Sequence, residues 1–187
     1  QALQRGEYFW ADIVRDGIVL YELPGHPLAT PKPLTKFDAV RQAERYFDEW
    51  FPAAQRFLAT AREWTQRAET EIGWRKDAAF ILHQAAERTF ACFLLTVSFY
   101  FPRSHNIKFL RSISEAKEPK LIEAWPRDTK LDRRRFELLK RAYVEARYSA
   151  NYHISIEDLD ALCNAVKRLQ DFVDLACRAR IEQLGRG

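Results

Sequence analysis

The sequence predicts an all-α protein, an up-and-down bundle of four or five helices preceded by a short β-hairpin and a proline-rich linker. Three observations predict it. From Thr35 almost to the C-terminus, apolar residues recur at intervals of three and four, the period of one helical face. Glycine is scarce, six in 187 residues, which disfavours a turn-rich β-architecture. Pro102, Pro119 and Pro126 fall between the periodic stretches, where they break helices.

Taken in order, the first element is the hairpin. Glu7 to Val14 and Ile18 to Leu23 are short apolar and aromatic runs separated by Arg15-Asp16-Gly17, and an Asp-Gly pair supplies the positive φ angles of a tight turn. Two strands alone are marginal in water, so this hairpin needs the bundle, a second copy or a further sheet to pack on. Pro24 to Pro33 carries four prolines and reads as an extended linker. Two segments follow from this reading, residues 1–34 (hairpin and linker) and residues 35–187 (the bundle).

Thr35 with Asp38 resembles a capping box and opens the first helix, whose stripe is Phe37, Val40, Phe47, Trp50, Ala54, Phe57, Ala61 and Trp64. A second stripe, Phe80, His83, Glu87, Phe90, Leu94, Val97 and Phe101, is ended by Pro102. Ser104 to Trp125 holds one or two short helices. Phe136, Leu139, Tyr143, Arg147 and Ala150 form the next stripe. Ser155 with Asp158 repeats the capping pattern ahead of Leu159, Leu162, Val166, Leu169, Val173, Cys177 and Ile181. Long helices with short connections argue for an up-and-down bundle.

Composition narrows the class. The chain is 47% hydrophobic and 30% charged, with a formal charge of +4, which permits an acidic or phosphate-bearing partner without requiring one. No run approaches the ~20 apolar residues of a membrane span, and no signal peptide is visible. Cys92, Cys163 and Cys177 are odd in number and widely spaced, so they read as reduced core thiols of a cytoplasmic protein, with neither disulfide nor metal site. No cofactor is implied. Methionine is absent, as in a processed chain or a piece of a longer one.

Ionisable residues interrupt the apolar seams at His83, Glu87 and Arg147. Burying an unpaired charge costs several kcal/mol, so such groups pair with one another or line a cavity. Two readings follow: an internal Glu–His–Arg network that fixes helix register, and a polar cluster facing a phosphate-bearing ligand. Arg147 is followed by Tyr148, Tyr152 and His153, and a helix break near Asn151 lets Arg147 and His153 converge. Arginine clamps phosphate, and histidine is a general acid or base near neutral pH. Lys130, Arg133 and Arg134 extend a phosphate-attracting surface or form a solvated helix start. His105 caps or buttresses the helix after it. Trp50, Trp64 and Trp74 read as core or dimer-face residues.

Four segments occur in order: FILHQAAERTF (Phe80 to Phe90), PRSHNIKFL (Pro102 to Leu110), WPRDT (Trp125 to Thr129) and FELLKRAYVEARYSANY (Phe136 to Tyr152). Together they resemble the HEPN family, a helical nucleotide-binding module, over about residues 35 to 183. Residues 6 to 34 are similar to the end of a minimal nucleotidyltransferase domain running into a fused HEPN domain. No Gly-Ser followed by an Asp-x-Asp pair occurs in this chain, so transferase activity is not assigned to it.

The resemblance implies a homodimer that binds nucleotide or RNA and accompanies a nucleotidyltransferase domain in the same or a partner chain. Arg147, Tyr148, Tyr152, His83, Glu87, Lys130, Arg133 and Arg134 are its candidate binding residues. Many members are metal-independent ribonucleases of toxin–antitoxin systems, with an Arg-x4-6-His motif from each subunit at the dimer interface. Arg147 and His153, with five residues between them, match that spacing and are the candidate catalytic pair. Tyr148 departs from the pattern, since active members commonly carry a polar residue directly after the arginine. Binding module, ribonuclease and structural dimerisation module are thus the three functional expectations.

Overall fold

A computed structural model describes residues 35–186 of the protein, together with 17–21, 23 and 25. Helix α1 (Lys36–Arg67) begins where the sequence places it, because the Thr35 hydroxyl accepts the Asp38 amide hydrogen at 3.1 Å. Its buried face is Phe47, Phe51, Ala54, Leu58 and Ala61, with Trp50, Phe57 and Trp64 half-buried at the margin. Phe37, expected on this stripe, is exposed at the helix start.

Helix α2 (Trp74–Ser98) is the centre of the bundle. Residues around most of its circumference are buried, and it packs on every other α-helix of the fold. Its end is earlier than Pro102 requires: Phe99 adopts a left-handed conformation (φ 58°) and its amide donates to the Leu95 carbonyl at 2.9 Å. A bulky side chain is strained there, and burial of Phe99 against Ala39 and Ala43 of α1 holds it.

Helix α3 (Ile107–Lys117) is capped by Asn106, which accepts from the Lys108 and Phe109 amides at 3.1 and 3.2 Å. A 3₁₀ helix, Pro119–Ala124, follows. Arg111 ties this layer down: Nε donates to Glu115 at 2.6 Å, Nη2 donates to the Trp125 carbonyl at 2.8 Å, and the guanidinium stacks on Phe136. Helix α4 (Lys130–Tyr148) starts with a full capping box between Thr129 and Asp132. Helix α5 (Ile156–Arg186) starts at Ser155, whose hydroxyl accepts the Asp158 amide hydrogen at 3.1 Å.

The α5 seam is buried as the periodicity predicts, from Leu159 to Cys177. Gln170 pins it to α1 from within the core, donating to the Ala54 carbonyl at 3.0 Å. Each wholly buried leucine, such as Leu82, Leu139 or Leu169, contributes about 2 kcal/mol of apolar burial. Cys92, Cys163 and Cys177 are free and buried, and burial raises the Cys163 thiol to about 11.

The described residues contain no strand. The first arm of the expected hairpin and most of the linker lie outside the described residues. In the second arm Ile18, Val19, Leu20, Tyr21 and Leu23 are exposed, so the expected β-ladder and its docking on the bundle are not found there. Among the described residues no helix is long and apolar enough to cross a membrane.

Candidate functional site

The site forms where α2, the loop ahead of α3 and the C-terminal turns of α4 meet. On α4 the buried face runs Phe136, Leu139, Ala142 and Ala146. Arg147 is therefore one position past the seam and exposed, not within it as the stripe predicted. Its Nε donates to the Tyr143 carbonyl one turn back at 2.8 Å. The guanidinium lies over three rings, with centroids at 4.7 Å for Phe80, 4.8 Å for Tyr143 and 5.0 Å for Tyr148. Arg147 makes no ion pair among the described residues.

On α2, His83 is wholly buried and Glu87 nearly so. They stand four apart, as the sequence indicates, yet their closest approach is 3.8 Å, longer than a hydrogen bond. Glu87 instead faces His105, whose Nδ1 lies 3.1 and 3.0 Å from the two carboxylate oxygens. The His105 ring stacks on Tyr143 at 4.4 Å and 17°, and the His83 ring meets Tyr143 at 5.2 Å. The expected Glu–His–Arg network is thus replaced by a Glu87–His105 pair and an aromatic stack carrying Arg147.

Burial, helped by the nearby positive charges of His105 and Arg147 and opposed by the His105 backbone, pushes His83 from 6.5 down to about 4. His83 is therefore a neutral ring at physiological pH, with no surface to offer a ligand. Its Nδ1 faces the Gln84 amide at 3.4 Å.

The helix break near Asn151 comes slightly earlier than expected. α4 stops at Tyr148, Ser149 is extended, and Lys76 of α2 donates to the Ser149 carbonyl at 2.7 Å. Tyr152 then dives into the core, where its hydroxyl donates to the Leu138 carbonyl at 3.0 Å. Burial raises its pKa. Tyr152, one of the candidate binding residues, is thus a buried anchor of the turn. The anchored turn holds His153 exposed between α4 and α5, with no hydrogen bond to Arg147 among the described residues.

The basic run divides. Arg133 donates to the Arg127 and Asp128 carbonyls. Arg134 and Arg135 reach Asp158 at 2.9 and 3.1 Å and so bind the start of α4 to the start of α5. The carboxyl of Asp158 is held below its usual range, burial opposing and the two arginines prevailing. Of the three basic candidates, Lys130 and Arg133 make no ion pair with a carboxylate among the described residues, while Arg134 pairs with Asp158. Trp50, Trp64 and Trp74 are half-buried, Trp64 and Trp74 against each other at 5.5 Å.

His105 and Tyr143 are the residues that sequence reasoning undervalued. Asn106, not His105, caps α3. No periodicity links His105 to Glu87 eighteen positions earlier; only the loop after Pro102 brings them together. Among the described residues no three His, Cys, Asp or Glu side chains are grouped to hold a metal ion.

A family model described as HEPN domain matches residues 40–176, which span α2, α3 and α4 whole and most of α1 and α5. No curated protein matches the chain.

Proposed function

The chain belongs to the HEPN domain family, and we propose that it is a binding module for RNA or nucleotide in which Arg147 holds a phosphate. One observation carries this reading: an exposed guanidinium, back-bonded to its own helix and laid on an aromatic platform, without a carboxylate partner among the described residues. Such a cation is preorganised for an anion, and the exposed Tyr148 ring beside it offers a face on which a base stacks. Lys130 and Arg133 lie on the same helix. Val144 and Tyr148, one turn apart and exposed on α4, supply apolar surface for a second copy, consistent with a homodimer. A nucleotidyltransferase companion belongs to the same proposal and rests on the resemblance of residues 6 to 34.

Binding of a short single-stranded RNA and of mononucleotides to the wild type and to Arg147→Ala tests it. The expected result is binding weakened at least tenfold with unchanged melting temperature. Equal binding by the two proteins removes the reading.

A second reading, metal-independent ribonuclease, is favoured by the exposure of both Arg147 and His153 at the same end of α4. In that chemistry the 2′-hydroxyl attacks phosphorus and gives its proton to a base. The 5′-oxygen leaves with a proton from an acid, producing a 2′,3′-cyclic phosphate and a 5′-hydroxyl end. Arg147 would offset charge on the phosphoryl oxygens, and His153 would carry a proton. Cleavage in chelator, lost in both Arg147→Ala and His153→Ala, is its test. Intact RNA under those conditions rejects it.

A further inference from the structure

Resting on the RNA-binding reading above, we propose that His105, held by Glu87, is the residue that distinguishes ribose from deoxyribose beside the phosphate bound by Arg147. His105 Nδ1 faces both oxygens of Glu87, at 3.1 and 3.0 Å. A carboxylate only accepts, so Nδ1 carries the ring proton. In the neutral ring this fixes Nε2 as a lone-pair acceptor, on a side chain that is 58% exposed. Stacking on Tyr143 at 4.4 Å holds the plane of the ring.

Arg147 uses the same tyrosine, its guanidinium carbon 4.8 Å from the ring centre. The two groups are thus no further apart than these two distances laid end to end. Within that limit, a single nucleotide would make two hydrogen bonds of about 2.9 Å, one from Arg147 to a phosphate oxygen and one from a hydroxyl to His105. The hydroxyl next to a backbone phosphate is the ribose 2′-hydroxyl, which donates to a lone pair and which DNA lacks. Neither of the other two histidines among the described residues is suited to this. His83 is wholly buried, and His153 has no partner among the described residues to set its tautomer.

The test is the affinity ratio between a short single-stranded RNA and the 2′-deoxy strand of the same sequence, at fixed salt and mildly alkaline pH. The wild type should prefer RNA by about five- to tenfold, the worth of one hydrogen bond. His105→Asn keeps a donor toward Glu87 but has no atom at the Nε2 position, so it should lose the preference for RNA over DNA. Glu87→Gln offers either a donor or an acceptor to Nδ1, no longer fixes the tautomer, and should lower the ratio. Arg147→Ala should weaken both strands together. No preference in the wild type, or a preference retained in His105→Asn, overturns the assignment to His105. If Arg147→Ala binds both strands as the wild type does, the RNA-binding reading itself fails.

Discussion

Arg147 donates from Nε to the carbonyl of Tyr143, at 2.8 Å, while its guanidinium lies 4.8 Å from the centre of the same residue's ring. A flexible side chain is thereby fixed by its own helix, and the entropy of ordering it is lost at folding instead of at binding. The same ring stacks with His105 and meets His83. Tyr143 is the piece on which the three basic residues are assembled.

Tyr143→Phe keeps every ring contact and should leave stability within about 0.5 kcal/mol. Tyr143→Ala removes the platform from a half-buried position and should cost roughly 2–3 kcal/mol in urea unfolding. RNA affinity should follow the same order. A Tyr143→Phe variant as impaired as Tyr143→Ala would place the function in the hydroxyl instead.

His83 stands at about 4 in the folded protein against an ordinary 6.5, so protonation favours the unfolded chain. The contribution is fully present above pH 6.5 and is lost as pH falls from 6.5 through 4, amounting to roughly 3 kcal/mol. His83→Leu should flatten that part of the stability curve. Parallel wild-type and His83→Leu curves between those limits would contradict it.

Tyr152→Phe deletes the hydrogen bond to the Leu138 carbonyl and should lower stability by about 1 kcal/mol. The ring still fills its place, so RNA binding should change less than twofold. A large loss of binding with normal stability would return Tyr152 to the ligand.

Arg134 and Arg133 should separate by assay. Arg134→Ala breaks an ion pair with the buried Asp158 and should appear as a stability loss of about 1 kcal/mol or more with little change in RNA affinity. Lys130→Ala and Arg133→Ala should weaken RNA of any sequence modestly and salt-dependently. Binding loss in Arg134→Ala at unchanged melting temperature would reverse that division.

The helices were legible because their caps and periods are local properties. Thr35, Ser155 and the α5 seam needed only neighbours within a few positions. The seam of α4 was misjudged by one residue, since Tyr143 at its margin is half-buried and drew Arg147 into the stripe. Central α2 buries far more than its one stripe, Ala78, Ala85, Ala91 and Cys92 included, because a helix packed on most sides needs no polar face. The pairing of Glu87 with His105 depends on where the loop after Pro102 returns, which no local pattern encodes. Family resemblance pointed to Arg147 and His153 together; the fold joins Arg147 to Tyr143 and Phe80.

The most direct test of a phosphate held by Arg147 is the salt dependence of RNA binding. Each neutralised phosphate of a single strand contributes about 0.7 to the slope of log affinity against log salt concentration. Arg147→Ala should lower the slope by about that amount and Arg147→Lys should restore most of it. An unchanged slope in Arg147→Ala would contradict the account.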